Sequence, residues 1–433
     1  MNCSTCGKEF ANKSSLSKHA QRKIPCKAPS ILIQTVLEKA GIPSEPLTEF
    51  REASTKFNTT LSKADRLDQG IFFTPKKARD ILFKQLADLN VKPSVILEPS
   101  FGTGEFLLDA KRLYPSATLL GVEKNEALFN SLSCPGASLT CCDFLEWKGN
   151  ADLIIGNPPY FVMKNTTKNS SCMTGRPNIY VLFLHKCLTE HLSPKGFLAF
   201  IIPTSLYNCS YYQPMRDYIQ KHTTIHYLET LNKPGFYETG QETMLIILQN
   251  TKLHDNYIYK PSDNIYISPF YKELQTISEN SVTLRSLGLA SKTGNIVWNQ
   301  IKDSLSDDPA HTLLIYASNI SDCKLTINNL KSKDKEKKQY VKDSNKPTLD
   351  GPVILIERGY GNSFSFNSVL VQNKKFYAEN HVNVIYPTTP DAAKNLERVL
   401  RSFQDSRTLD FARKFCGNGT ISSTDLETII PIF

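Results

Sequence analysis

The sequence predicts an α/β protein: a parallel open sheet with helices on both faces, followed by an α+β region and preceded by a small finger. Three observations carry this. From Asp68 to about Asn250, short apolar strands alternate with helical stretches, the pattern of strands buried on both faces. Within that span, Val95-Ile96-Leu97 runs into the glycine-bearing turn Glu98-Pro99-Ser100-Phe101-Gly102-Thr103-Gly104-Glu105. Further on, the apolar stretch Ala151–Gly156 ends at Asn157-Pro158-Pro159-Tyr160, at a strand's carboxyl end, where open α/β sheets place their ligands.

In chain order, residues 1–27 stand apart. Cys3 and Cys6, then His19 and Cys26, have metal-ligand spacing with one extended final gap, and Phe10 and Leu16 fall at the two core positions of a ββα finger. So small a unit needs a metal to fold, so these four residues are expected to hold one structural zinc. The finger suits either DNA or protein as its partner. Residues 28–67 form a bridge with one helical run, Ile31–Lys39, ended by Gly41 and Pro43. Residues 68–250 form the α/β domain. Its strands are expected at Val95–Leu97, Thr118–Val122, Leu153–Ile155, Leu198–Ile202, His226–Leu228 and Met244–Leu248. Its helices are expected at Lys77–Leu89, Glu105–Leu113, Asn125–Leu132, Tyr180–Glu190 and Tyr212–Gln220. Residues 251–433 form the last region, richer in Ser, Asn, Lys and Tyr.

Bulk composition narrows the function classes. The 433 residues suffice for several cores, and 51 Lys and Arg against 42 Asp and Glu leave a net charge of +9, which permits a polyanionic partner. No run reaches the ~20 apolar residues of a membrane span, and there is no apolar signal core. The 11 cysteines are odd in number and irregular in spacing, unlike a disulfide framework. A soluble protein of a reducing, intracellular compartment is expected.

The chemistry lies at successive strand ends. Glycines at a strand-to-helix turn let a ligand approach the backbone and leave helix N–H groups free. About 20 residues on, Glu123 ends the next strand, where a carboxylate holds a ribose diol. Asp143, at a third strand end, can hold an adenine amino group. Asn157 and the Pro158 carbonyl, its direction limited by two proline rings, offer acceptors, and Tyr160 offers a flat face. Two acceptors beside an aromatic plate suit a planar ring with an exocyclic amine, such as adenine.

This ordered set resembles the S-adenosylmethionine-dependent amino-methyltransferases, which have a Rossmann-like sheet. More specifically it resembles the γ class of adenine-N6 DNA methyltransferases that accompany type II restriction enzymes. Gln69-Gly70-Ile71-Phe72-Phe73-Thr74-Pro75 matches that class's motif upstream of the glycine loop, and Lys195–Pro203 and Gly235–Ile246 match later segments. The resemblance implies that Phe73, Thr74, Pro75, Glu98, Pro99, Ser100, Gly102 and Gly104 bind S-adenosyl-L-methionine, with Glu123 at the ribose, Asp143 at the cofactor adenine, and Asn157 touching cofactor as well as target. It implies that Asn157, Pro158, Pro159 and Tyr160 hold the target base, with Phe236, or its neighbour Tyr237, stacking opposite Tyr160. It further implies that residues 251–433 recognise double-stranded DNA, and that the chain is a monomer sharing its target sequence with a cognate endonuclease without binding it. Lys292, Asn295, Arg358 and Asn362 are chemically suited to phosphate or base edges. Asn-Pro-Pro-Tyr also serves methyltransferases of RNA and of protein glutamine amides. The Phe-Thr-Pro segment and the long carboxyl-terminal region favour DNA.

Overall fold

β1 (Val95–Glu98) is three-quarters buried because it lies at the centre of the sheet, between β2 (Thr118–Glu123) and β4 (Ala151–Gly156). With β3 (Ala137–Cys141), β5 (Leu192–Pro203), β6 (Thr224–Leu231) and β7 (Thr243–Gln249) they form a seven-stranded sheet in the order β3-β2-β1-β4-β5-β7-β6. The computed structural model describes residues 50–60, 70–163, 171–175, 178–231, 242–327, 337–358, 365–372, 374–416 and 420–433. Packing separates Met1–Arg51 from Glu52–Phe433. The finger with Cys3, Cys6, His19 and Cys26, the expected helix Ile31–Lys39, Gln69, Phe236, Tyr237 and Asn362 lie outside the described residues.

Side chains of successive strand residues point to opposite faces, and each face receives helices. Ile154, Leu198, Phe200 and Ile202 pack with α5 (Ile179–Lys186) and α6 (Gln213–His222). Leu153, Ile155, Ala199 and Ile201 pack with α2 (Lys76–Asp88) and α3 (Glu105–Leu113). The parallel sheet read from the sequence needs a correction: β7 runs antiparallel to both β5 and β6, so the sheet is mixed. A parallel β6–β7 pair would need a crossover long enough for a helix, and only the segment between Leu231 and Thr243 is available.

The span of β3, whose end Asp143 marks, and the whole of α1 were not foreseen. β3 is an edge strand with no fully buried residue, so it has no apolar run to betray it. α1 (Glu52–Thr60) has only Ala53 and Phe57 as apolar residues, and Ser54 is its buried residue. The helix expected over Asn125–Leu132 shrinks to α4 (Glu126–Phe129), capped by the Asn125 side chain on Leu128 N.

Beyond β7 the chain builds two four-stranded sheets. One is antiparallel, in the order Leu289–Thr293, Val382–Pro387, Val353–Glu357, Ser368–Val371. Helices Leu396–Ser402 and Ser406–Cys416 pack on its apolar side. Buried Arg216 of α6 ties this half to the first sheet. Its Nε donates to Ile265 O (2.5 Å), Nη1 to Cys209 O (2.7 Å) and Nη2 to Gln213 Oε1 (2.8 Å), and its guanidinium lies over Tyr266. Nearby, Asn208 Nδ2 donates to Phe415 O at 2.9 Å.

Candidate active site

The carboxyl ends of β1, β2 and β4 open onto a cavity of about 480 Å³. Its wall gathers most of the residues singled out from sequence. Phe73, Thr74, Glu98, Pro99, Ser100, Gly102, Glu123, Asp143, Asn157 and Pro159 all line it. Pro75 and Gly104 do not; each stands at the N-cap of a helix behind the wall, α2 and α3 respectively. Gly104 has φ +82°, and a Cβ there would lie 2.5 Å from Leu132 Cδ1, so this turn requires glycine.

Acid groups are held by backbone amides. Glu123 Oε2 accepts from Gly102 N (2.9 Å) and Oε1 from Asn125 N (2.8 Å), so the carboxylate braces the glycine loop it faces. Burial raises its pKa, and the amides of Asn125, Gly102 and Lys124 oppose that rise. Glu98 is 2% exposed and accepts from Leu107 N at 3.0 Å. Burial holds its pKa well above the usual carboxylate value. Asp143 is different. Partial burial pushes its pKa up, but Lys124 Nζ (2.8 Å) and Leu145 N (2.9 Å) more than offset this, and the carboxyl titrates below its ordinary value. Among the described residues Ser100 Oγ has no partner, and it is buried on the same wall, a polar group that a ligand would satisfy.

The upstream segment is held against both the loop and the Asn-Pro-Pro-Tyr turn. Gly70 has φ +66°, and a Cβ there would stand 2.9 Å from Tyr160 N, so the two segments touch through backbone. Asn157 Nδ2 donates to Phe72 O (3.0 Å), which fixes the amide with Oδ1 as its acceptor. Arg79 Nη1 donates to Thr74 O (2.5 Å) and stands 2.9 Å from Glu105 Oε2, while Nε donates to Asp109 Oδ2 (2.8 Å). Ser54 Oγ donates to Glu105 Oε1 (2.5 Å) and lies 2.6 Å from Thr103 Oγ1. Arg79 and Ser54 thus clamp the glycine loop from behind.

Tyr160 departs from expectation. Its ring was expected as a plate facing the target, but it is buried beside Tyr180, edge-on at 6.2 Å, and is not on the cavity wall. Its hydroxyl donates to Ile201 O (2.6 Å) and reaches Asn157 Oδ1. One proton cannot fully serve both acceptors. Pro158 is also off the wall, and Phe161, the next residue, is on it. Sequence reasoning missed Phe72, Lys124, Asn125, Phe144, Phe161 and Phe183, all on the wall. Phe144 and Phe161 directly follow named motif residues and could have been found. Phe183 reads in sequence as an ordinary helix core position, and only folding brings it 4.8 Å from the Phe144 ring.

The chain is 34% identical over 397 residues to the type II methyltransferase M.CvrRI of Paramecium bursaria Chlorella virus XZ-6E, covering 89% of this chain and 99% of the viral protein. It belongs to the type II methyltransferase family. The modification methylase CviBIII of Paramecium bursaria Chlorella virus NC1A is 33% identical to this type II methyltransferase, again over 89% and 99% of the two chains. The type II methyltransferase M.AccI of Acinetobacter calcoaceticus is 26% identical over 44% of this chain and 38% of its own length. The Eco57I restriction-modification methylase family model matches residues 104–236, from the end of the glycine loop past the Asn157 turn.

Proposed function

We propose that this type II methyltransferase transfers a methyl group from S-adenosyl-L-methionine to N6 of adenine in duplex DNA, at a short specific sequence, as the modification activity of a restriction-modification system. The observation that carries this is the amide of Asn157, held with its oxygen as acceptor, opening onto the cavity shared by the glycine loop, Glu123 and Asp143.

The wall fits the cofactor. Phe144, Phe183, Ile179 and Leu128 give an apolar slot for a purine, Glu123 and Asp143 offer acceptors, and Ser100 Oγ awaits a partner. When bound, S-adenosyl-L-methionine supplies a methyl group on a good, neutral leaving group, so the protein's task is positioning and charge stabilisation. Asn157 Oδ1, on the wall, accepts one N–H bond of the amine, drawing its lone pair out of ring conjugation. The second N–H is assigned to the Pro158 carbonyl just behind the wall, and the proton displaced by the methyl group leaves to solvent. The Tyr160 hydroxyl then gives Asn157 over to the amine and keeps Ile201 O. A base inside a duplex cannot reach the cavity and must be flipped, at a cost of a few kcal/mol. Stacking of ~1–3 kcal/mol offsets part of that; Phe161, already on the wall, is better placed for it than Tyr160, and Phe236 is the proposed opposite face. Residues 251–433 are proposed to recognise the sequence, and the Cys3, Cys6, His19, Cys26 set to bind zinc.

The test is to incubate the protein and tritiated cofactor with duplex DNA, tRNA or a release factor, and to digest labelled DNA to nucleosides. Label in N6-methyladenine is expected. Label in 5-methylcytosine, or in protein alone, would overturn the reading.

A further inference from the structure

One edge of the antiparallel carboxyl-terminal sheet brings an unspent donor and an unspent acceptor to the same level. Thr293 and Ile356 both pair with Asn383. One step outward, Glu357 pairs with Val382, and Gly294 N donates to Val382 O at 2.8 Å. The next step out is Arg358, whose N donates to His381 O (3.4 Å), with Asn295 following Gly294 on the other flank. Asn295, His381 and Arg358 therefore end three neighbouring strands together. Gly294 is required for this crossing, since a Cβ there would lie 2.2 Å from Glu379 O.

The hydrogen-bonding capacity of the two outer residues is set by what they have already used. Asn295 Nδ2 donates one of its two N–H groups to Pro347 O (3.0 Å), which fixes the orientation of the amide, and among the described residues its Oδ1 is buried without a partner. Arg358 Nε is likewise buried without a partner, and among the described residues no carboxylate pairs with its guanidinium. Unmet buried groups are costly, so their retention points to a ligand that meets them. Between them stands His381, half-exposed, its ring held by buried Glu379 through Nδ1 at 2.6 Å. The edge is tied to the catalytic sheet: Ile421 N donates to Arg358 O (3.0 Å), and the helix preceding Ile421 receives Asn208, which follows the end of β5.

A forked cation two strands from a fixed acceptor, about 10 Å at the backbone, does not suit phosphate, because the Asn295 oxygen would repel it. It suits a guanine, which presents two acceptors side by side, paired with a cytosine, whose N4 amine is a donor. Resting on the DNA-substrate reading above, we infer that Arg358 and Asn295 read one G·C pair of the target sequence from the major groove, Arg358 at the guanine and Asn295 Oδ1 at the cytosine.

The experiment is to methylate a randomised duplex library with the wild-type chain and with R358A, R358K, N295A and N295D, then sequence the methylated fraction. The wild-type motif should contain a fixed G·C pair. R358A and R358K should relax that position by about tenfold or more and leave the others intact. N295A should relax it less, while N295D, which keeps an acceptor but loses the donor to Pro347 O, should relax it no more than N295A. Melting temperature and cofactor affinity of each variant establish that it is folded. A wild-type motif without a fixed G·C pair overturns the inference. So does an R358A variant that lowers methylation of every sequence equally, the signature of a phosphate contact. Absence of methyl transfer to any DNA by the wild-type chain would instead remove the DNA reading itself, and this inference with it.

Discussion

Replacing Arg79 by Met keeps most of the side-chain volume and removes the cation behind the glycine loop. Arg79 is 5% exposed and meets Thr74 O, Glu105 and Asp109. After the change Asp109 keeps Arg112 Nη2 at 3.4 Å, and Glu105 keeps the Ser54 hydroxyl, but this buried acid loses the guanidinium of Arg79. Breaking a buried pair by removing one partner costs about 3–5 kcal/mol. The partners that remain place the expected loss near the lower end, about 3 kcal/mol. Because Thr74 and Glu105 flank the cavity, cofactor affinity should fall together with stability. Urea unfolding measures the first quantity and isothermal titration with cofactor the second. Adding Glu105→Gln to the Met variant removes the buried charge that Arg79 faced and should restore part of the lost stability. A loss below about 1 kcal/mol, or a double variant less stable than the single one, would refute the argument that Arg79 compensates buried charge under the loop.

Further outcomes follow from the same geometry. Asn157→Ala should lower kcat by about 10²–10³, as for other lost transition-state hydrogen bonds, with cofactor Kd nearly unchanged; near-normal turnover in a single-turnover assay would exclude its assigned role. Gly104→Ala adds about 1–2 kcal/mol of left-handed strain and displaces Leu132, so cofactor titration should show weaker binding. Glu98 has a raised folded-state pKa, so its contribution to stability is full below its unfolded value and is lost as pH rises through the folded one. Glu98→Gln should therefore flatten the decline of the urea midpoint as pH is raised from about 4.5. Metal analysis of protein purified without chelator should find one zinc per chain, lost on Cys3→Ser; absence of zinc would remove the finger.

What could be read from sequence was what depends on neighbours in the chain. β1, β2 and β4 declared themselves by unbroken apolar runs, and the acids Glu123 and Asp143 by standing just after a strand. The span of β3 stayed hidden although Asp143 marked its end, because an edge strand such as Ala137–Cys141 buries too little to force an apolar pattern. The direction of β7 was equally invisible, since an apolar run has no sense of parallel or antiparallel. At the site, the roles of Arg79 and Ser54 depend on contacts to residues far along the chain, and nothing local marks them. Tyr160 shows the opposite error. Its motif suggests a plate facing the target, yet in the fold its hydroxyl finds Ile201 O and the ring turns inward.

The buried Arg216 that joins α6 to Ile265, Tyr266 and the loop before it makes the molecule a ruler. Packed core atoms at that junction therefore bear on the spacing between Asn157 and the Asn295–Arg358 edge. Successive bases on a strand step by about 3.4 Å, so methylating one base pair nearer to or farther from the recognised pair would require tearing that guanidinium from its carbonyls. On the proposed DNA reading, the offset between the base read and the base modified is thus built into the core.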